Sequence, residues 1–208
     1  YTTTDKKLAT LYIAEARALR GMFYFELVRR FGNVVLMTST QMSNQNPATY
    51  VQSAPEKVYE YIEDDLLYAC DILPYATDDQ YRESNDYRFS KGAALGLLTK
   101  VYATWAGYPV KDESKWEAAA KTARILVESG KHGLLKDYEQ LWKNTCNGTW
   151  DPTESLIEIS FYSPTVSGNS DPVGRIGKWN GVKTTAIAGV RGSCAANVKV
   201  VHTFVLDW

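Results

Sequence analysis

The sequence predicts a mainly α-helical fold, and three observations lead there. Apolar residues recur at steps of three and four through most of residues 1–143, and these runs begin and end at residues that cap or break helices. Glycine and charge also divide unevenly. Residues 1–143 hold 37 of the 47 Asp, Glu, Lys and Arg residues, whereas residues 144–208 hold 10 of them but 7 of the 14 glycines. That shift marks regular helices giving way to irregular chain, so residues 1–143 are expected to be helical hairpins. Residues 144–208 are expected to be a loop-rich segment with short strands that belongs to the same domain.

Each helix has its own justification. From Leu8 to Phe31 the residues Leu8, Leu11, Tyr12, Leu19, Phe23, Leu27 and Phe31 recur at helical spacing and predict a buried stripe, stopped by Gly32-Asn33. A second helix follows Ser53, the expected cap, with Pro55 in its first turn. It carries Val58, Ile62, Leu66, Ala69 and Leu73 inward and ends at Pro74. Ser90 caps a third helix running through Ala93, Leu97, Val101 and Trp105 to Gly107. A fourth starts near Ser114, with Trp116, Ala119, Ala120, Ala123 and Leu126 as its stripe and Gly130 as its stop. Small residues at 93, 94 and 96 and at 119, 120 and 123 permit close approach of the last two, as in tetratricopeptide-like helical hairpins.

Beyond Lys143, the run Leu156, Ile157, Ile159 and Phe161 reads as a short strand and 198–205 as a second β-leaning run, with a Gly-, Ser-, Asn- and Trp-bearing loop between them. Long loops that carry tryptophan and arginine are usually functional.

Composition excludes several classes of function. A net charge of -1 leaves no basic footprint for nucleic acid. No run of uncharged apolar residues is long enough to span a bilayer, and the start of the chain does not read as a signal peptide. Cys70, Cys146 and Cys194 are too few and too scattered for a zinc site, and His132 and His202 lack metal-ligand spacing, so no metal or cofactor is expected. No nucleophile elbow or phosphate-cradling glycine loop is present. The acidic stretch Glu63, Asp64, Asp65 and Asp71 points around its helix and reads as a solvated face with one or two cap or salt-bridge roles. A carbohydrate-active enzyme would need converging carboxylates from separate segments, such as Asp151, Glu154 and Asp171.

Aromatic residues carry the binding signal, at 12% of the chain with 14 Tyr and 6 Trp. A sugar ring has an apolar C–H face and a hydroxyl rim, so it needs a flat aromatic platform with hydrogen-bonding side chains at its edge. Trp150, Tyr162, Asp171, Arg175, Trp179 and Asn180 fit that chemistry. Trp105, Trp116 and Trp142 fall in or beside helical stripes and are expected in the core.

The first helix, Glu15-Ala16-Arg17-Ala18-Leu19-Arg20-Gly21-Met22-Phe23-Tyr24-Phe25-Glu26-Leu27-Val28-Arg29-Arg30-Phe31-Gly32, resembles the hallmark segment of the SusD/RagB family. The stretches 61–74, 90–102 and 116–130 are similar to that family's next three helices, and Glu154-Ser155-Leu156-Ile157-Glu158-Ile159 resembles its following short strand. The resemblance covers about residues 8–162 in order. It departs in having Val35 where the family often has Pro, and no lipid-bearing cysteine precedes Tyr1. Family members are longer, so the resemblance implies an internal fragment truncated at both ends. It also implies a surface-exposed outer-membrane lipoprotein, reaching the membrane only through a lipid anchor absent from this chain. Such a protein is not an enzyme; it captures oligosaccharides on loop aromatics and delivers them to a TonB-dependent, SusC-like transporter. The alternative is a peptide-binding or protein-interaction scaffold of the same uptake system.

Overall fold

Ser90 Oγ accepts the backbone N–H of Ala93 at 3.2 Å, and Asp5 Oδ1 accepts those of Lys7 and Leu8 at 2.9 and 3.2 Å. Each satisfies donors that a helix start leaves open. In the computed structural model of the chain, these caps begin two of the five α-helices among the described residues. Residues 5–39, 42, 44–78, 88–159, 183 and 185–188 are described, apart from the side chain of Cys146. The helices are α1 (Lys6–Phe31), α2 (Pro55–Ile72), α3 (Lys91–Ala106), α4 (Lys115–Glu128) and α5 (Tyr138–Asn147). Residues 1–158 form one compact unit and residues 159–208 another.

Within the first unit the helices stack in chain order, α1 on α2, α2 on α3 and α3 on α4, the sequential packing expected of tetratricopeptide-like hairpins. The core lies between them. Phe25, Ile62, Leu66, Leu98, Val58 and Val101 are its largest fully buried apolar side chains, each worth about 1.5–3 kcal/mol of transfer free energy. Tyr59 of α2 stacks on Trp105 of α3 with ring centres 5.3 Å apart. Cys70 is buried among these residues, and desolvation pushes its thiol up to about 12, which keeps it protonated and inert at neutral pH.

The stripe expected on α1 is not the face it buries. Ala14, Ala18, Gly21, Tyr24, Phe25 and Val28 face the core, whereas Tyr12, Leu19, Phe23, Leu27 and Phe31 are exposed. Small residues decide this. A Cβ at Gly21 would sit 3.3 Å from Leu66 Cγ and 3.6 Å from Asp65 Cβ, so Ala14, Ala18 and Gly21 form the ridge along which α2 can approach.

Asp65 fixes that approach. Its carboxylate, 1% exposed, accepts Arg17 Nε at 2.7 Å, Arg20 Nε at 2.7 Å and Arg20 Nη2 at 2.8 Å, while Arg17 Nη2 donates to the Asp64 carbonyl at 3.1 Å. The guanidiniums lie over the rings of Tyr68 and Tyr61, 4.3 and 4.7 Å from their centres. The Asp65 hydrogen bond, the largest influence on the Arg20 guanidinium, holds its pKa above the usual value. The acidic stretch therefore supplies salt bridges as expected, but Asp65 is buried and not solvated. Glu63, two residues earlier, accepts Tyr102 Oη at 2.7 Å and Lys115 Nζ at 3.1 Å, tying α2 to α3 and α4.

Three further expectations change. Ser53 does not cap α2; the cap position is Ala54, and Ser53 instead forms a bridge with Val34 through two backbone hydrogen bonds of 2.8 and 3.3 Å. The start of α4 near Ser114 is as expected, and there the Ser114 hydroxyl donates to Asp112 at 2.5 Å. On α4 the buried residues are Ala119 and Thr122, because Lys115 turns inward to Glu63 and the Trp105 ring, leaving Trp116 53% exposed. Finally, residues 156–159 form no strand ladder; 160 and 161, like the run 198–205, lie outside the described residues.

After α4 the chain folds back over α3. A Cβ at Gly92 would lie 2.1 Å from His132 Nε2, and one at Gly96 would lie 2.6 Å from Leu156 Cδ1. Gly133 N donates to the Thr153 carbonyl at 3.0 Å, His132 Nδ1 lies 3.3 Å from that same oxygen, and Leu135 N donates to Glu154 Oε2 at 2.7 Å. The two glycines are thus the surface on which the returning chain rests. His132, packed on Gly92 and beside the Thr153 carbonyl, has a structural role.

Asp65→Ala is expected to cost about 1–3 kcal/mol in urea unfolding, because two part-buried guanidiniums lose their shared acceptor. Arg17→Ala or Arg20→Ala alone should cost less, since their side chains are 30% and 39% exposed and one pair survives. Equal losses would mean that the cluster is not the joint between α1 and α2. Gly92→Ala is expected to destabilise by about 1–3 kcal/mol through overpacking, and much of this should return in Gly92→Ala/His132→Ala. Strict additivity of the two changes would remove the contact as the cause.

Candidate functional site

Of the six residues expected to contact ligand, Trp150 lies among the described residues; Tyr162, Asp171, Arg175, Trp179 and Asn180 lie outside them. Trp150 is half-buried and held from both sides. Before it, α5 ends at Gly148 with φ 66°, a left-handed position that favours glycine, and Thr149 N donates to the Asn144 carbonyl at 2.8 Å. After it, Asp151 Oδ1 accepts Thr153 N at 2.9 Å and the Asp151 carbonyl accepts Ser155 N at 3.1 Å. A helix end and a side-chain-closed turn thus fix the ring's place on the chain.

Those same bonds bear on catalysis. Asp151 is engaged in its own turn through one oxygen, while its Oδ2 is buried without a partner among the described residues, and Glu154 holds the Leu135 amide. Both thus accept from backbone amides, and Asp171 lies outside the described residues. His132 packs on Gly92, and His202 is likewise outside them. No group of three or more His, Cys, Asp or Glu that could hold a metal occurs among the described residues. No helix there is long and apolar enough to cross a membrane.

Tryptophans divide differently from expectation. Trp105 is in the core as expected, at 4% exposure, but Trp116 and Trp142 are on the surface. Trp142 is 56% exposed because α5 packs against none of the other four helices, so a periodic stripe there has no facing surface among them. It meets Tyr138 edge-on, ring centres 6.4 Å apart, at the i, i+4 spacing that places two side chains on one helix face. The sequence reading does not pick out α5, although Asp137, whose carboxylate caps Glu139 N at 2.9 Å, and Gly148 after its end mark both limits. Aromatic surface is therefore available on α5 and at Trp116 as well as at Trp150, and it suits ring-stacking.

Comparison with known proteins places this geometry. The SusD-like family model described as "Starch-binding associating with outer membrane" matches residues 2–103. A SusD-like protein of Bacteroides ovatus is 29% identical over 182 residues, covering 82% of this chain and 32% of the relative. The chain thus spans about a third of that relative's length. Among solved structures, a SusD superfamily protein of Parabacteroides distasonis is 32% identical with a TM-score of 0.58, over 68% of this chain and 29% of its own. A structure solved with xylogluco-oligosaccharide is 32% identical, TM-score 0.59, over 74% of this chain and 30% of its own. A laminarin-binding SusD-like protein is 32% identical, TM-score 0.55, over 70% and 31%. The family model, the relatives and the helical stack agree, and the chain belongs to the SusD/RagB family.

Proposed function

We propose that the protein captures oligosaccharides at the outer-membrane surface and passes them, uncut, to a TonB-dependent transporter, the whole being held to the membrane by a lipid anchor. The observation that carries this reading is the 32% identity to a protein solved with xylogluco-oligosaccharide and to a laminarin-binding SusD-like protein. Trp150, Tyr162 and Trp179 supply the stacking platforms, with Asp171, Arg175 and Asn180 as hydrogen-bonding partners at the ring edge. The backbone engagement of Asp151 and Glu154 supports a protein that binds without cutting.

A second reading, a scaffold for a protein or peptide partner, draws on the exposed apolar face of α1 formed by Tyr12, Leu19, Phe23, Leu27 and Phe31. Tryptophan fluorescence separates the two, since a response to peptide with none to oligosaccharide would favour the scaffold.

Titration calorimetry of the whole chain with xylogluco- and laminari-oligosaccharides is expected to show binding that weakens roughly tenfold or more in Trp179→Ala, and similarly in Trp150→Ala. Unchanged affinity in both variants would remove these residues from the site and leave the family assignment standing. New reducing ends on incubation with either polysaccharide would overturn the non-catalytic reading.

A further inference from the structure

At the other end of the helical stack, the end of α1, the start of α2 and the turn between α3 and α4 enclose a cleft of about 280 Å3. We propose that this cleft holds a single neutral pyranose ring, making it a second sugar-contact site on the helical unit. The proposal rests on the glycan-capture reading above and extends it to residues that reading does not use.

Size comes first. Pockets for drug-sized ligands run to roughly 300–1,000 Å3, so this cleft suits one ring and not a bundle of them. Its walls have the chemistry of a sugar's C–H face. Tyr108 contributes aromatic surface, the buried Tyr59 a small part of the wall, and Pro55, Pro109 and Val110 rigid aliphatic surface. Tyr59 cannot swing away because it is stacked on Trp105. Tyr108 stands 82% exposed at the mouth, where a ring can lie against it.

The polar groups match a hydroxyl rim. Arg29 and Thr104 line the cleft, and no carboxylate does. That argues against a cation. Arg29 already forms an ion pair with Glu26, so part of its charge is met before a ligand arrives and its remaining N–H groups are free to act as donors. A neutral polyol fits this better than an anion.

The turn that presents Tyr108 is braced in advance. Lys111 N donates to the Gly107 carbonyl at 2.8 Å and Asp112 N to the Trp105 carbonyl at 3.2 Å. Binding need not order it, which lowers the entropic cost.

The test follows the methyl NMR signals of Val28 and Val110, both in the cleft wall, as the whole chain is titrated with xylogluco- and laminari-oligosaccharides. Saturable shifts at both methyls are expected with at least one sugar. They should weaken about tenfold or more in Tyr108→Ala and persist in Tyr108→Phe, which keeps the ring; exposure of Tyr108 makes both variants compatible with folding. If calorimetry shows oligosaccharide binding while the two methyls stay unmoved, the cleft proposal falls and glycan capture stands. If no oligosaccharide binds at all, both fall. Shifts that Tyr108→Ala leaves unchanged also overturn the assignment of the cleft.

Discussion

Burying a carboxylate is costly unless charged donors surround it, and Asp65 of α2 is surrounded by two. Arg17 and Arg20 are three residues apart on α1, so both can reach a single acceptor only when α1 lies at one rotation and one height against α2. Gly21 and the alanines at 14 and 18 supply the close approach this needs. The stretch that most resembles the family hallmark thus has a plain physical content. Its small residues set the distance between two helices, and its arginines set their register. The position of every later helix in the stack depends on this joint, since α3 packs on α2 and α4 on α3.

A second polar node carries the arrangement onward. Glu63 lies two residues before Asp65 and reaches Tyr102 and Lys115, so neighbouring acidic residues on α2 serve opposite sides of the stack. Lys115 Nζ also sits 3.9 Å from the centre of the Trp105 ring, itself stacked on Tyr59. Burial and the Glu63 hydrogen bond push the Tyr102 hydroxyl well above its usual range, so it stays a donor at any physiological pH. One chain of contacts therefore links the acid, the aromatic core and the first turn of α4.

Much of the helical layout was legible because its signals are local. Ser90, Gly32 and Gly107 act on the residues beside them, and the ends of α1 and α3 that they mark lie where spacing and caps put them. Faces were harder to read. α1 has apolar residues on most of its circumference, so periodicity alone could not say whether Phe23 or Phe25 points inward; that choice depends on Asp65, 45 residues past Arg20. Trp116 and Trp142 illustrate the same limit, because a stripe predicts burial only when another surface meets it. For the ligand residues, the sequence offered ring chemistry and no positions, and only Trp150 of that set is among the described residues. Tyr108, isolated in a turn, carries no periodic signal at all.

The return of the chain over α3 has a consequence for how this unit can diversify. Gly133 and Thr153 are bonded to each other, so the residues between them leave the stack and come back at nearly the same point. That excursion carries α5, Tyr138, Trp142 and Trp150, and α5 leans on no other helix. The entropic cost of closing such a loop grows only with the logarithm of its length. Insertions and deletions between the two anchors therefore leave the helical joints untouched, and a lineage can recast the aromatic surface presented there while keeping its framework.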